Sequence, residues 1–260
     1  MGIVNVTPDS FSDGGLWLDP GAAIAHGKDL AGEGAAILDV GGESTRPGAE
    51  PVTADEELRR VIPVLEGLNA TSAQLSIDTT KHAVARAALH AGATLVNDVS
   101  ALRFDPELAG LCADAGCDVC LMHMLGEPRT MQRDPRYGDV VDDVKAFLHE
   151  RLTFATSEGI AEERILLDPG IGFGKTVEHN LELLRRLGEL VALGRPVVIG
   201  TSRKSFLGRL TGVEQASERV AGTVATNVLA YERGASVFRV HDVAPTVEAL
   251  TVAAATVPAR

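Results

Sequence analysis

The chain has 260 residues, of which 45% are hydrophobic, 23% are charged and only 4% are aromatic. This composition excludes a disordered or fibrous protein and allows a sizeable core, in one large domain or two small ones. The formal net charge of -12 argues against a general nucleic-acid binder, since such proteins present basic faces to phosphates, but a few converging Lys and Arg could still bind an anion.

Short apolar runs alternate along the chain with longer amphipathic stretches, which predicts strands alternating with helices. In chain order, the predicted strands are 2–6, 36–40, 74–78, 94–98, 118–123, 164–168, 196–200 and 236–240. The predicted helices are 20–32, 53–68, 81–91, 105–115, 138–158, 177–192, 215–233 and 244–254. Asp105 and Pro106 predict the start of the fourth helix, because an acidic cap often precedes a proline at the first helical position.

A strand followed by a helix, repeated eight times in roughly 250 residues, is typical of a (β/α)8 barrel. An open doubly wound sheet is the competing architecture. Its usual glycine-rich turn after the first strand is replaced here by "NVTPDSFSDGG". We therefore expect an α/β fold of the TIM-barrel type, with residues 1–260 forming a single domain.

The three cysteines are an odd number, and no signal peptide is apparent, which predicts reduced thiols and a cytoplasmic location. Cys117 and Cys120 have the spacing of a metal or redox pair. Their stretch reads as a buried strand, however, and residues three apart on a strand face opposite sides, so we interpret both as packing residues. No apolar run approaches the ~20 residues that a membrane helix needs, so no membrane association is expected.

Polar side chains stand at or just beyond the carboxyl ends of the predicted strands, where barrels build their active sites. Helix capping explains some of them. It does not explain acids that close otherwise apolar strands, as in 74–78 and 164–168, nor Arg239 and His241 on either side of Val240. The concentration predicts a polar pocket formed by Asn5, Asp39, Glu43, Asp78, Asn97, Asp98, His123, Asp168, Lys204, Arg239 and His241.

The chemistry of these side chains indicates the class of ligand. Asp78, Asn97 and Asp168 could form a hydrogen-bonding floor for a flat heterocycle with an N–C–N edge, such as a pterin or a purine. Alternatively, these three side chains are buried polar groups that bond to other parts of the protein and only support the barrel. Asn5 could ligate Mg²⁺, which typically uses few protein groups together with substrate phosphate oxygens.

A cationic group follows the seventh predicted strand in "GTSRKSFLG" (200–208). Barrels often bind phosphate after strands seven and eight, at the start of a helix. Together with Arg239 and His241, these residues could receive an anionic leaving group. The loops 5–15 and 41–50 are rich in Gly, Pro and Ser and are expected to act as lids over the same pocket.

The stretch "LLDPGIGFGKT" (166–176) looks at first like a nucleotide-binding loop. A phosphate-binding P-loop needs a glycine five residues before its Gly-Lys pair, and Pro169 occupies that position. The dinucleotide-binding pattern fails as well, because Lys175 stands where its third glycine is required. Spacing alone therefore leaves this loop without a function.

Several motifs together resemble those of the dihydropteroate synthase family of pterin-binding barrels. They occur in the family's order and cover almost the whole chain: "MGIVNVTPDSFSDGG", "GGESTRPGA", "SIDT", "VNDVSAL", "LMHMLGEPRTMQ", "LDPGIGFGKT", "GTSRKSFLG" and "FRVHDV". Family members usually carry a further segment before the first strand, and we expect this chain to lack it.

The resemblance implies a (β/α)8 fold and condensation of 6-hydroxymethyl-7,8-dihydropterin pyrophosphate with p-aminobenzoate, by loss of pyrophosphate before the amine attacks. It implies a catalytic set of Asp78, Asp168, Lys204 and Arg239. It implies a pterin site of Asp78, Asn97, Met122, Asp168, Phe173 and Lys204. It implies a p-aminobenzoate site of Phe11, Thr45, Pro47, Ser202 and Lys204. It implies a pyrophosphate site of Asn5, Arg46, Arg239 and His241.

The resemblance also implies Mg²⁺ on Asn5, a homodimer and inhibition by sulfonamides. Apolar residues on more than one face of helices 215–233 and 244–254 agree with a dimer surface. Three other functions remain open at this stage. They are a corrinoid-dependent methyltransferase with a similar pterin pocket, an aldolase that uses Lys204 as a Schiff base, and a pterin-binding protein without catalytic activity.

Overall fold

The computed structural model of the chain describes residues 1–7, 19–46 and 48–256. Within those ranges it contains eight strands: β1 Gly2–Asn5, β2 Ile37–Gly41, β3 Gln74–Asp78, β4 Leu95–Asp98, β5 Asp118–Met122, β6 Ile165–Asp168, β7 Val198–Ile199 and β8 Val237–Phe238. The helices of the same ranges are α1 Pro20–Gly32, α2 Ala54–Leu68, α3 His82–His90, α4 Leu108–Ala115, α5 Val140–Ser157, α6 Val177–Arg185, α7 Leu187–Val191, α8 Ser205–Thr211, α9 Val220–Glu232 and α10 Val243–Thr256.

The strands close into a ring. β1 to β6 pair in chain order, each parallel to the next, and β7 pairs with β8 in the same direction. Two further backbone contacts join these groups. The amide of Leu167 donates to the carbonyl of Pro196 at 2.9 Å, and the amide of Ile3 donates to the carbonyl of Val240 at 3.0 Å. The predicted (β/α)8 barrel is confirmed.

The interior of the ring separates into two layers. Strand side chains alternate between the interior and the surrounding helices. The inward residues nearer the amino ends of the strands form an apolar cluster that includes Ile37, Leu95, Cys120, Leu166 and Val198. The inward residues that follow along β2, β3 and β4 are polar: Asp39, Ser76, Asp78 and Asn97. The apolar layer therefore forms the base of a polar chamber that faces the carboxyl ends.

The interpretation of Cys117 and Cys120 as packing residues on opposite faces is confirmed. Cys117 belongs to the large apolar cluster that packs the helices on the barrel, whereas Cys120 belongs to the interior cluster. Among the residues that the structure describes, no helix combines the length and the apolar character that crossing a membrane requires.

The fourth helix starts three residues later than predicted, although Asp105 Oδ1 accepts the amide of Glu107 at 3.2 Å as a cap of the preceding turn. α4 begins at Leu108, and Pro106 lies in the preceding turn. The side chain of Asp105 accepts a hydrogen bond from the amide of His82 at 2.8 Å, so this carboxylate caps the start of α3. A cap supplied by a distant part of the chain leaves no local signal.

Other boundaries also differ from the sequence prediction. The predicted helix 177–192 is two helices, because Arg186 leaves helical geometry at φ -100° and ψ 22°. The predicted helix 215–233 begins as the short 3-10 turn Ala216–Glu218 before α9. The last two strands contain two residues each, and the chain beyond β8 continues the ring through Val240, whose backbone bonds to Met1 and Ile3.

Candidate active site

A cavity of about 550 Å³ opens at the carboxyl ends of the strands. Many of the residues that the sequence indicated meet in its wall, although they come from distant parts of the chain. They are Asn5, Thr45, Arg46, Asp78, Phe173, Ser202, Lys204, Arg239 and His241. Arg239 and His241, which are two residues apart in the chain, both line this cavity.

Three of the predicted pterin residues lie at the strand ends without forming part of the cavity wall. Asn97, Met122 and Asp168 are buried, with 5%, 4% and 6% of their surface exposed. Phe173, which does line the cavity, packs against the apolar cluster that contains Met122. The structure therefore places these residues directly behind the wall. The predicted p-aminobenzoate residues Phe11 and Pro47 lie outside the described residues.

Asp39, which the sequence placed in the polar pocket without a role in any ligand site, organises the floor of the chamber. It is fully buried, and its Oδ1 accepts a hydrogen bond from the Ser76 hydroxyl at 2.6 Å. Its Oδ2 accepts from Asn97 Nδ2 at 2.9 Å and from Arg239 Nε at 2.6 Å. An acid inside an apolar strand was a usable signal, but its partners become visible only from the register of neighbouring strands.

Arg239 connects this buried acid to the cavity. Its Nε donates to Asp39 and its Nη2 donates to Asp78 Oδ2 at 2.8 Å. Burial acts to lower the pKa of Arg239, but the two carboxylates outweigh it and raise the pKa above its ordinary value. Burial raises the pKa of Asp78 to about 7, although the charge of Arg239 opposes the increase. Asp78 is thus the acid of this group that changes protonation near neutrality.

A second acid and base pair occupies the opposite side of the floor. Asp168 Oδ1 accepts the amide of Gly170 at 2.7 Å, and burial raises the pKa of Asp168 while Lys204 opposes the increase. Burial lowers the pKa of Lys204 to about 8. The Lys204 ammonium donates to the carbonyl of Ile171 and lies 4.8 Å from the centre of the Phe173 ring. Lys204 is therefore positioned against an aromatic face and beside a carboxylate.

His241 is held in a defined orientation by Ser202. The His241 amide donates to Ser202 Oγ at 3.1 Å, and the same hydroxyl lies 2.9 Å from His241 Nδ1. Ser202 Oγ can donate its proton to Nδ1 while it accepts the amide, and this arrangement places the ring proton on Nε2. Burial and the nearby charge of Arg203 hold the pKa of His241 well below its ordinary value. His241 is a neutral hydrogen-bond donor here, not the cation that the sequence suggested.

The loop between β2 and α2 is anchored beside the cavity by Glu43. Its carboxylate accepts the amide of Val52 at 2.9 Å and pairs with Lys81 Nζ at 2.6 Å. Lys81 also pairs with the buried Glu57 of α2. These contacts connect the segment that carries Thr45 and Arg46 to the barrel body.

The chain is similar to a described family and to named relatives. The family model described as pterin binding enzyme matches residues 1–241. Dihydropteroate synthase of Escherichia coli K12 is 47% identical over 261 residues, which cover 100% of this chain and 92% of that protein. Dihydropteroate synthase of Synechocystis is 48% identical over 244 residues, which cover 94% of this chain and 84% of that protein.

Solved structures agree with the sequence relatives. Yersinia pestis dihydropteroate synthase in complex with a sulfonamide drug has a TM-score of 0.96 and 46% identity, and covers 98% of this chain and 93% of that chain. Xanthomonas albilineans dihydropteroate synthase with 4-aminobenzoic acid has a TM-score of 0.92 and 55% identity, with 99% and 93% covered. The Xanthomonas albilineans enzyme with 7,8-dihydropteroate has a TM-score of 0.88 and 52% identity, with 99% and 94% covered.

The raised pKa of Asp78 predicts a pH-dependent stability that Asp78→Asn removes. The unfolded carboxyl titrates near ~3.9, and the folded one near 7. A raised folded pKa stabilises the protein fully below the unfolded pKa, and that stabilisation is lost as pH rises through 7. Between pH 5 and pH 8, the free energy of unfolding measured with urea should therefore fall by on the order of 1–3 kcal/mol more in the wild type than in the variant.

Asp134→Asn is the matched control, because this side chain lies 66% exposed in a surface ion pair with Arg136. It should keep the pH dependence of the wild type. An identical pH dependence in wild type and Asp78→Asn would contradict the assignment.

Proposed function

The chain belongs to the pterin-binding enzyme family, and on that premise we propose that it catalyses a dihydropteroate synthase reaction. In this reaction, 6-hydroxymethyl-7,8-dihydropterin pyrophosphate condenses with 4-aminobenzoate to give 7,8-dihydropteroate and pyrophosphate. The observation that carries the proposal is the paired floor of the cavity, in which Arg239 links Asp39 to Asp78 while Asp168 lies near Lys204. Related structures hold 4-aminobenzoic acid and 7,8-dihydropteroate.

The pterin ring is proposed to bind at this floor. Its N–H groups would donate to the carboxylates of Asp78 and Asp168, because charge-assisted hydrogen bonds of this kind are stronger than neutral ones. Asn97 can offer its oxygen to the ring, since its nitrogen already donates to Asp39. Lys204 would exchange its contact with Ile171 for the ring carbonyl, with Met122 and Phe173 packing on the ring faces.

The two other reacting parts are proposed to lie nearer the mouth. Thr45, Ser202 and Lys204 line the cavity where 4-aminobenzoate would bind, and the proposed site also includes Phe11 and Pro47, which lie outside the described residues. The pyrophosphate would lie by Asn5 and Arg46, and would accept hydrogen bonds from Arg239 and from His241 Nε2. A neutral His241 donor avoids adding another buried charge to a group that already contains Arg239.

We propose that the reaction is dissociative. The bond between the methylene carbon and the pyrophosphate oxygen breaks first, and the electron pair leaves with pyrophosphate. The positive charge on the methylene carbon spreads into the ring, where Asp78 and Asp168 stabilise it electrostatically. The amine nitrogen of 4-aminobenzoate then forms the new bond and loses a proton. Closure of the loops 5–15 and 41–50 would exclude water from this intermediate.

The residues present fit Mg²⁺, provided that the substrate supplies most of its ligands. Asn5 lines the cavity, and its side chain makes no hydrogen bond to other residues in the described ranges, so its oxygen is available. Those ranges contain no cluster of three or more His, Cys, Asp or Glu side chains that could hold a metal alone. Asn5 would hold the ion together with pyrophosphate oxygens and water, where Mg²⁺ would neutralise charge on the leaving group.

Two substitutions test the proposed reaction. Asp78→Asn and Lys204→Ala should each lower kcat/KM by at least ~10²-fold, because each removes an interaction with the ring at which charge develops. Pyrophosphate release is measured from the dihydropterin pyrophosphate with and without 4-aminobenzoate and Mg²⁺. Asp134→Asn and Lys28→Ala, on exposed surfaces, are the controls and should retain activity. Near-normal turnover in either site variant would remove that residue from the mechanism.

We propose that sulfonamides inhibit this enzyme by occupying the 4-aminobenzoate pocket, as expected from the ordinary "TRPG" and "SRKSFLG" loops. The complex of the Yersinia pestis relative with a sulfonamide drug supports this proposal. Millimolar sulfonamide should raise the KM for 4-aminobenzoate and leave kcat unchanged, which steady-state kinetics would measure. Turnover that is unaffected by the drug would contradict the proposal.

We also propose a homodimer formed through α9 and α10. These helices present Leu229, Val247 and Val252 with 45%, 38% and 61% of their surface exposed, an apolar face that a second copy would bury. Sedimentation should give twice the chain mass of 27.3 kDa. Val252→Asp should give monomers, while Leu210→Asp on α8, also exposed, should not. A monomeric wild type at micromolar concentration would contradict this assembly.

A further inference from the structure

The loop between β6 and α6 (residues 169–176) has an alternating backbone. Gly170, Gly172 and Gly174 adopt φ values of 65°, 84° and 63°, which side chains other than glycine rarely accept. A Cβ on Gly170 would lie 1.9 Å from the carbonyl oxygen of His123. Because this geometry is neither helix nor strand, the loop carbonyls need partners from elsewhere.

Side chains supply those partners. Within this completely described loop, four successive carbonyls each accept a hydrogen bond from a different side chain. Ile171 accepts from Lys204, Gly172 from Gln132, Phe173 from Lys175 at 3.0 Å, and Gly174 from the Tyr137 hydroxyl at 2.8 Å. The loop that carries Phe173 to the cavity is therefore held by three side chains from other segments and by one of its own.

Lys175 differs from the other three donors because it is itself part of the loop and is 97% covered, with 3% of its surface exposed. Its Nζ lies 2.8 Å from His123 Nδ1, at the end of β5. Burial and the charge of Lys175 lower the pKa of His123 to about 2, so the ring is neutral and Nδ1 accepts the bond. Burial lowers the pKa of Lys175 well below its ordinary value, and Asp168 opposes this decrease through space, without a direct ion pair in the described ranges.

We propose that Lys175 is a positioning residue for the pterin: it ties the Phe173 carbonyl to the His123 ring and thereby fixes the wall against which the pterin packs. This inference rests on the proposed function. Lysine suits the role because its amine carries at least two N–H donors, one for each of the two acceptors, in either protonation state. A glutamine would turn an oxygen towards one of two buried acceptors. The hydrogen bonds of Lys175 involve neither Thr45 nor Ser202. Their loss should therefore weaken binding of the pterin and leave binding of 4-aminobenzoate unchanged.

Binding of pteroic acid tests the role without requiring turnover. Lys175→Met should weaken the affinity measured by calorimetry at least ~10-fold, because two buried acceptors lose their donor. Lys175→Gln, which keeps N–H donors, should recover part of the affinity. Lys145→Met, on α5 away from the loop, is the control and should bind normally. Affinity within ~2-fold of wild type for Lys175→Met would overturn the proposal.

Kinetics separate positioning from a general structural effect. In Lys175→Met the KM for the dihydropterin pyrophosphate should rise at least ~10-fold, while kcat and the KM for 4-aminobenzoate stay within ~3-fold. An equal loss for both substrates would indicate only a damaged fold and would overturn the proposal. If pteroic acid binding falls as expected but no variant, including wild type, releases pyrophosphate, then the proposed reaction fails and the positioning role stands.

Nuclear magnetic resonance of the unliganded protein tests the bond itself. With ¹⁵N-labelled histidine, His123 should be a neutral ring protonated on Nε2 from pH 5 to pH 8. The Nδ1 resonance should move in Lys175→Met and remain in place in Lys145→Met. An unmoved Nδ1 resonance, or a protonated Nδ1, would overturn the proposal whatever the activity.

Discussion

The Arg239 guanidinium, held between Asp39 and Asp78, is the interaction on which the site depends. Burying charges is costly, and a buried group remains stable only when its partners and hydrogen bonds are complete. Ser76 and Asn97 complete the bonding of Asp39, and burial raises the pKa of Asp78 to about 7. A ligand that donates N–H groups to Asp78 would supply the missing stabilisation, and this favours a cationic or donor-rich ring.

The closed barrel makes this arrangement possible. Its apolar lower layer excludes water from below, so the polar residues above it experience a low-dielectric surrounding in which electrostatic interactions are strong. The ring also brings β2, β3 and β8 together although Asp39 and Arg239 are 200 residues apart in the chain. The loops add further residues to the cavity wall: Phe173 comes from one loop, and Thr45 and Arg46 come from another.

Local sequence patterns predicted the barrel and most strand-end residues, because an apolar run that ends in an acidic residue can be recognised without knowing which strands lie beside it. Contacts between distant segments could not be predicted in that way. Asp39 was overlooked as the centre of the floor because its partners lie on three other strands. Asp105 was assigned only to the turn before α4, and its second bond, which caps α3, was not predicted. Lys175 was seen as a failed glycine position, and its bond to His123 required the fold.

The most direct measurement is the crystal structure of the protein with pteroic acid bound. The account predicts the pterin ring edge-on to Asp78 and Asp168, with Lys204 released from the Ile171 carbonyl and Asn97 still bonded to Asp39. A pterin ring found outside this floor, or an Asp78 carboxylate that does not contact it, would contradict the account.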